Sequence, residues 1–322
     1  MKASQGGFMW ATFVVPRLLY GMEALMLRKK DVDSLEGFQR QCLRQIQGLP
    51  DKTANSISLA LLGILPLEAA LHKNTLTTFV NMIRHKSSIE NDIALRQIVM
   101  KDESDKSWFM SIRKTLKQYN LPSIFQLLNT PPSKTEWKKL LNDAVHSAIE
   151  ASWKLDIKSK PSLKYVNADS LKIGKSHHVW ATVRSSIHDN RRAQLKCKLL
   201  TGTYNLQGNR AAFNQHQVNA TCRLCSSAPE TRQHFLSECT FFHAERQAYI
   251  DKLLSSAVLQ SIPASKVHNT EFLTQLTLDA SAVLEMEQVD KDTWGLLELY
   301  SREYIAKIHN KRLTVLKMMS DF

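Results

Sequence analysis

The sequence is short of the residues that punctuate β structure, with 10 Gly and 9 Pro in 322 positions. A sandwich or barrel needs a turn every 8–12 residues or so, so this scarcity excludes both and favours helices. At 43% hydrophobic and 23% charged residues, the chain is also too apolar to be disordered. Five cysteines, Cys42, Cys197, Cys222, Cys225 and Cys239, are too few and too odd a number for a disulfide framework. No apolar run near the start approaches the roughly 20 residues of a membrane span. Phe8 to Val15 is halted by Pro16-Arg17 and lacks the small-residue cleavage site of a signal peptide. The expectation is a soluble chain in a reducing intracellular compartment, nucleus or cytoplasm, with no membrane partner. The signatures G-x-x-x-x-G-K-S/T, H-E-x-x-H, G-x-S-x-G and G-x-G-x-x-G are missing too.

What the chain does have is positive charge: 43 Lys and Arg against 30 Asp and Glu, a net +13. The excess is uneven. Residues 101–239 hold 22 basic against 11 acidic groups, whereas the last 83 residues hold 9 against 11. A uniform solubility charge would not be distributed this way, and a polyanion partner would account for it. A solvated basic face remains the plainer explanation.

Helical periodicity dominates the rest. Leu35, Phe38, Cys42, Leu43 and Ile46 recur at helical spacing behind Asp31 or Asp33 and before Gly48-Leu49-Pro50, which predicts a helix with a glycine stop. The apolar stretch 8–27 predicts one buried helix or two short ones around Pro16. Ser133 and Glu136 have capping-box spacing. Behind them Trp137, Leu140, Leu141, Ala144, Val145, Ala148 and Ile149 form a core stripe ending near Trp153. Residues 154–175 lose that periodicity, are rich in lysine and predict a linker. A helix then follows around Arg191 to Leu200, in which Arg191, Arg192, Lys196 and Lys198 oppose the helix dipole. Contact with phosphates would explain those four cations, and so would a solvated face.

The expected organisation is mainly α. A helical unit over 1–100 precedes a helical connector with its Lys-rich linker over 101–175. A small metal module over 176–256 and a helical extension over 257–322 complete it.

Cys222-Arg-Leu-Cys225, eight residues, His234, four residues and Cys239 are the chemically informative stretch. Thiolates and an imidazole at these separations suit one four-coordinate zinc ion. With all four positions filled by protein the site is structural, because an activated water would need a vacancy. Spacing alone favours neither His234 nor His243 as the fourth ligand. His177, His178 and His216 are weaker candidates.

The stretch Cys222 to Cys239, with Glu230-Thr231 and His234-Phe235-Leu236 inside it, resembles the zinc knuckle that follows the reverse transcriptase of LINE-like non-LTR retrotransposons. Pro16-Arg-Leu-Leu-Tyr20-Gly21-Met-Glu23 resembles the end of that family's polymerase, and Leu35 to Pro50 the thumb helix after it. The resemblance spans roughly residues 8–250, in the family's order. It implies a thumb-like first unit, ligation by Cys222, Cys225, His234 and Cys239, and RNA or DNA as partner, in an element-encoded ribonucleoprotein.

Polymerisation in that family needs an aspartate pair for two metal ions. This sequence has no Asp-Asp. The expectation is therefore a non-enzymatic C-terminal fragment without palm or endonuclease. Arg191, Arg192, Lys196, Lys198, Arg210, Arg223 and Arg232 would offer charge to phosphates. The competing expectation is a helical structural or protein-interaction module that zinc merely staples.

Overall fold

The computed structural model describes residues 2–102, 104–212, 218–255, 264–284 and 291–320. Among them the chain is helical with no strand, and β pairing is limited to two isolated bridges, Lys172 with Lys175 and Thr221 with Pro229. The mainly α expectation holds. No helix among the described residues is long and apolar enough to cross a membrane.

Helix α1 (Ala3–Met9) runs through a π turn, Trp10–Val14, into α2 (Val15–Leu18). Trp10 and Leu19 enter the core, but Phe8 is 66% and Phe13 54% exposed. The segment is thus a surface helix, not the buried one its composition predicts, because a single side of it meets the neighbouring helices.

Helix α3 (Lys29–Gln47) stops as the sequence predicts, on Gly48 with φ +63°. Its inward face is rotated from the predicted one. Leu43 is buried, Phe38 is 47% exposed, and Glu36, Gln39 and Gln47 turn inward. The cause lies in the backbone of the two helices that follow, α4 (Asn55–Ala60) and α5 (Leu67–Arg84). The first amides of a helix have no partner within it. Gln39 Oε1 accepts from Leu67 N–H at 3.1 Å and Glu36 Oε1 from Glu68 N–H at 2.9 Å, which caps α5. Gln47 donates to Ser58 O at 2.7 Å and accepts from the Trp180 indole at 2.9 Å.

Two apolar cores result. The smaller gathers most of α5, then α6 (Ile89–Met100), α7 (Trp108–Gln118), α8 (Ile124–Asn129) and the first half of α9 (Lys134–Lys158). Helix α9 begins at the predicted capping box: Ser133 Oγ accepts from Glu136 N–H, and Glu136 accepts from Ser133 N–H at 2.9 Å. With 25 residues it is about 37 Å long. Trp137, Leu141 and Val145 pack in the smaller core, while Trp153 and Ile157 reach the larger one.

The larger core is continuous from Ala3 to Ile308. It takes in α10 (His178–Ala181), α11 (Ile187–Leu200), the Cys/His stretch after α12 (Gln207–Ala212), α13 (His243–Ser255), α14 (Ala264–Val267), α15 (Thr270–Leu278) and α16 (Lys291–Ser320). Packing therefore does not follow breaks at 100, 175 and 256. Helices α5 and α9 belong to both cores, and α16 lies against α11 and α13 as part of the main core.

The lysine-rich stretch 154–175 is also not a linker. Leu163, Tyr165, Val166 and Leu171 are buried while Lys164 between them and Lys158, Lys172 and Lys175 on either side stay outside. Asp279 accepts from Asn167 N–H at 2.8 Å, fixing the segment to the end of α15.

Gly63 shows how tightly this stretch closes on the first helices. Its carbonyl accepts from Gly174 N–H at 2.8 Å, and Leu61 O accepts from His177 N–H at 2.9 Å. Gly63 has φ +65°, and a Cβ there would sit 2.5–2.8 Å from the backbone of Lys172 and Lys175. Gly63→Ala is expected to cost more than about 2 kcal/mol in urea unfolding, since strain and backbone clash add. A change under about 0.5 kcal/mol would contradict this close approach.

Candidate metal centre

The centre is assembled by two short backbone devices. In the first, Cys222 N–H donates to Ala228 O and Glu230 N–H to Ala220 O, each at 2.8 Å, folding 220–230 back on itself. Within that loop Ser226 N–H donates to Cys222 O at 2.9 Å and Ser226 adopts φ +54°. This turn brings Cys225 back beside Cys222.

The second device is a π turn, His234–Glu238. Cys239 N–H donates to His234 O at 2.8 Å, a bond spanning five residues. In a regular α-helix positions five apart point about 140° from each other. The wider π turn nearly restores alignment, so His234 and Cys239 face the same point.

The donor atoms of Cys222, Cys225, His234 and Cys239 all lie within 4.8 Å of one another. Cys222 Sγ is 4.0 Å from Cys239 Sγ, and Cys225 Sγ is 3.2 Å from His234 Nε2. Cys222, His234 and Cys239 are buried and Cys225 is half-buried. This arrangement can hold a metal ion with four protein ligands. The hydrogen bond from Cys239 holds the Cys222 thiol well below the usual thiol range, against the effect of burial. That same contact, with burial, raises Cys239. The His234 ring presents Nε2 to the sulfurs, and its Nδ1 faces Glu238 Oε2 at 3.9 Å. His243 is exposed at the start of α13 and is not part of the cluster. His177 lies 3.3 Å from Asp279 and His178 stacks on Trp294, both away from it. His216 lies outside the described residues.

The surroundings clamp these devices from several sides. Arg312 of α16 donates to both oxygens of buried Glu230, at 2.8 and 2.9 Å, and Glu230 also accepts from Gln207 N–H at 2.7 Å. Tyr304 donates to Leu236 O, Arg246 to Cys239 O at 2.9 Å, and Ser237 shares a hydrogen bond with Thr274 at 2.8 Å. Glu230 lies inside the stretch that carries the resemblance and Tyr304 on the apolar side of the last helix, but nothing local in the sequence marks Arg246, Thr274 or Arg312 as their partners.

The seven cations expected at phosphates divide into three groups. Arg191 and Arg223 are exposed; Arg192, Lys198 and Arg210 are half-buried. Arg192 lies 3.6 Å from Glu303. Lys196 and Arg232 have to be removed from that set. Lys196 is 1% exposed, and its ammonium donates to Glu298 and Ser301 of α16, each at 2.8 Å. Burial lowers its pKa while Glu298 opposes that. Glu298 in turn lies near Arg302, which also holds buried Asp189 at 3.0 Å. Arg232 donates to Leu199 O and Leu200 O at the end of α11, at 3.2 and 3.1 Å, and lies over the Tyr165 ring. It satisfies carbonyls that a helix end leaves unpaired. A helix-face argument missed both, since a cation on a buried side signals itself only through a partner far along the chain.

No family model matches this sequence, and neither a curated protein nor a solved structure matches it. The geometry makes a separable prediction. With metal present, His234→Ala is expected to lower the melting temperature by several degrees and abolish the further loss caused by a chelator. His243→Ala is expected to leave both unchanged. Thermal scans with and without chelator check this, and equal effects of the two substitutions would contradict the ligand set.

Proposed function

We propose that this chain is a zinc-stabilised nucleic-acid-binding region of a non-LTR retrotransposon reverse transcriptase, from the part that follows the polymerase. The observation that carries the reading is the convergence of Cys222, Cys225, His234 and Cys239, the four positions the motif resemblance selects. Three sulfurs and one imidazole are the donor set of structural zinc. A zinc–sulfur bond of about 2.3 Å places the sulfurs of a tetrahedral site about 3.8 Å apart. The Cys222–Cys239 separation of 4.0 Å fits that edge. Bound there, zinc supplies a cross-link and folding free energy, with no open position for catalysis.

Nucleic acid is the partner favoured by the charge that the fold leaves outside. Arg223 stands exposed in the Cys222–Cys225 turn, and Arg191 stands exposed on α11. Arg192, Lys198 and Arg210 reach the surface in part. Binding through such groups is to phosphates and carries little sequence preference. No polymerase chemistry is assigned, since the sequence has no Asp-Asp pair.

The second reading, a zinc-stapled helical module without a nucleic-acid partner, is favoured by one observation. The ligand cluster lies inside the main core, where a staple would act. Salt separates the two. Four contacted phosphates of a single strand give a log–log slope of about −3, roughly a 50-fold weakening between ~50 and ~200 mM salt. Fluorescence anisotropy with a labelled oligonucleotide measures it. Binding that is absent at low salt, or unchanged across that range, favours the staple.

A further inference from the structure

A cleft of about 840 Å³ opens between α11, α13 and α16, beside the metal centre. Its floor is rigid. Tyr249 and Tyr304 stack there with ring centroids 4.6 Å apart and planes 2° from parallel, and Tyr304 is tied to Leu236 between two metal-ligand positions. One turn before Tyr304 on α16, Tyr300 is half-buried and lines the cleft, with Lys252 Nζ 5.6 Å from its ring centroid.

The walls are positive. Lys and Arg outnumber acids in the lining five to two, and one of the acids, Glu245, is held by Lys311 at 3.0 Å. Glu303, the other acid, is shared by Arg192 at 3.6 Å and Lys252 at 3.3 Å. Arg191 and Lys198 make no ion pair within 4 Å among the described residues, and exposed Lys307 adds its charge beside Glu245, which Lys311 already holds. Cations around a half-open tyrosine are the chemistry that holds a phosphate chain and stacks a base.

We infer that this cleft grips one strand of an unpaired polynucleotide, with phosphates on Arg191, Lys198 and Lys307 and a base on Tyr300. The inference rests on the nucleic-acid reading above and adds where the strand lies and that it is single. A volume in the range of small-molecule pockets accommodates a nucleotide or two. A duplex is too wide to enter, and its pairing and stacking cover the base faces that Tyr300 would meet. Glu303 acts as an internal competitor. It occupies Arg192 and Lys252 until a phosphate displaces it, so the carboxylate weakens the grip.

Anisotropy titrations of the full chain, metal-loaded, with a labelled oligothymidylate of ~12 nucleotides and with a duplex of equal length test this. Tyr300→Ala, Tyr300→Phe, Lys307→Glu and Glu303→Gln are compared, each with its melting temperature. The single strand is expected to bind more tightly than the duplex. Tyr300→Ala is expected to weaken it roughly tenfold, Tyr300→Phe to restore it, and Lys307→Glu to weaken it and flatten the salt slope by about one. Glu303→Gln is expected to tighten binding several-fold. Wild-type binding that survives Tyr300→Ala and Lys307→Glu, or that prefers the duplex, overturns the cleft and leaves the nucleic-acid reading standing. Weaker binding by Glu303→Gln also overturns the cleft. A wild-type chain that binds neither probe at low salt overturns both.

Discussion

Three sulfur atoms and one imidazole nitrogen converge on a point inside the largest apolar core, and that convergence constrains everything around it. Thiols brought this close, with one drawn toward the thiolate, gain little from burial alone. A cation at their centre turns the same arrangement into a cross-link between the loop 220–230 and the π turn after it. The supporting hydrogen bonds then make sense as a set. Arg312 on Glu230, Tyr304 on Leu236 and Arg246 on Cys239 bring α16 and α13 onto backbone that would otherwise be irregular and poorly held.

Positive charge in this chain has two uses. Part of it is consumed by the fold: Lys196 with Glu298, Arg302 with Asp189, Arg312 with Glu230, and Arg232 on the end of α11. Buried pairs of this kind are weak evidence of net stability, but removing one partner strands the other, so they fix the register of α16 against its neighbours. The remainder lies outside. It includes Arg191 and Lys198, which flank the cleft between α11, α13 and α16 beside the Arg192–Glu303 pair. The net charge of +13 therefore overstates what is available to a polyanion, and the side chains still available are partly gathered in one place.

Much of this was legible in the residues. The box at Ser133 and Glu136, the glycine stop at Gly48 and the ligand spacing from Cys222 to Cys239 are local signals, each satisfied within a few positions of the chain. Spacing alone did not choose between His234 and His243; the motif resemblance did, and the π turn that realigns positions five apart is the physical reason. Three further differences have a common cause. The rotated face of α3, the packed segment 160–171 and the buried Lys196 all depend on partners distant in sequence. Gln39 meets Leu65 and Leu67, Asn167 meets Asp279, and Lys196 meets Glu298. Polar side chains that serve distant backbone or charge look like surface residues in a helical pattern. The two apolar cores likewise draw on residues far apart in the chain, and α5 and α9 each contribute to both.

The proposed zinc would sit among Cys222, Cys225, His234 and Cys239, bound through three sulfurs and one nitrogen. X-ray absorption at the zinc edge of the purified chain, with metal content measured in parallel, tests it most directly. The expected result is one zinc per chain, with three sulfur neighbours at about 2.3 Å and one nitrogen at about 2.0 Å. A shell of oxygen and nitrogen alone, or zinc that does not rise to one equivalent on loading, would contradict it.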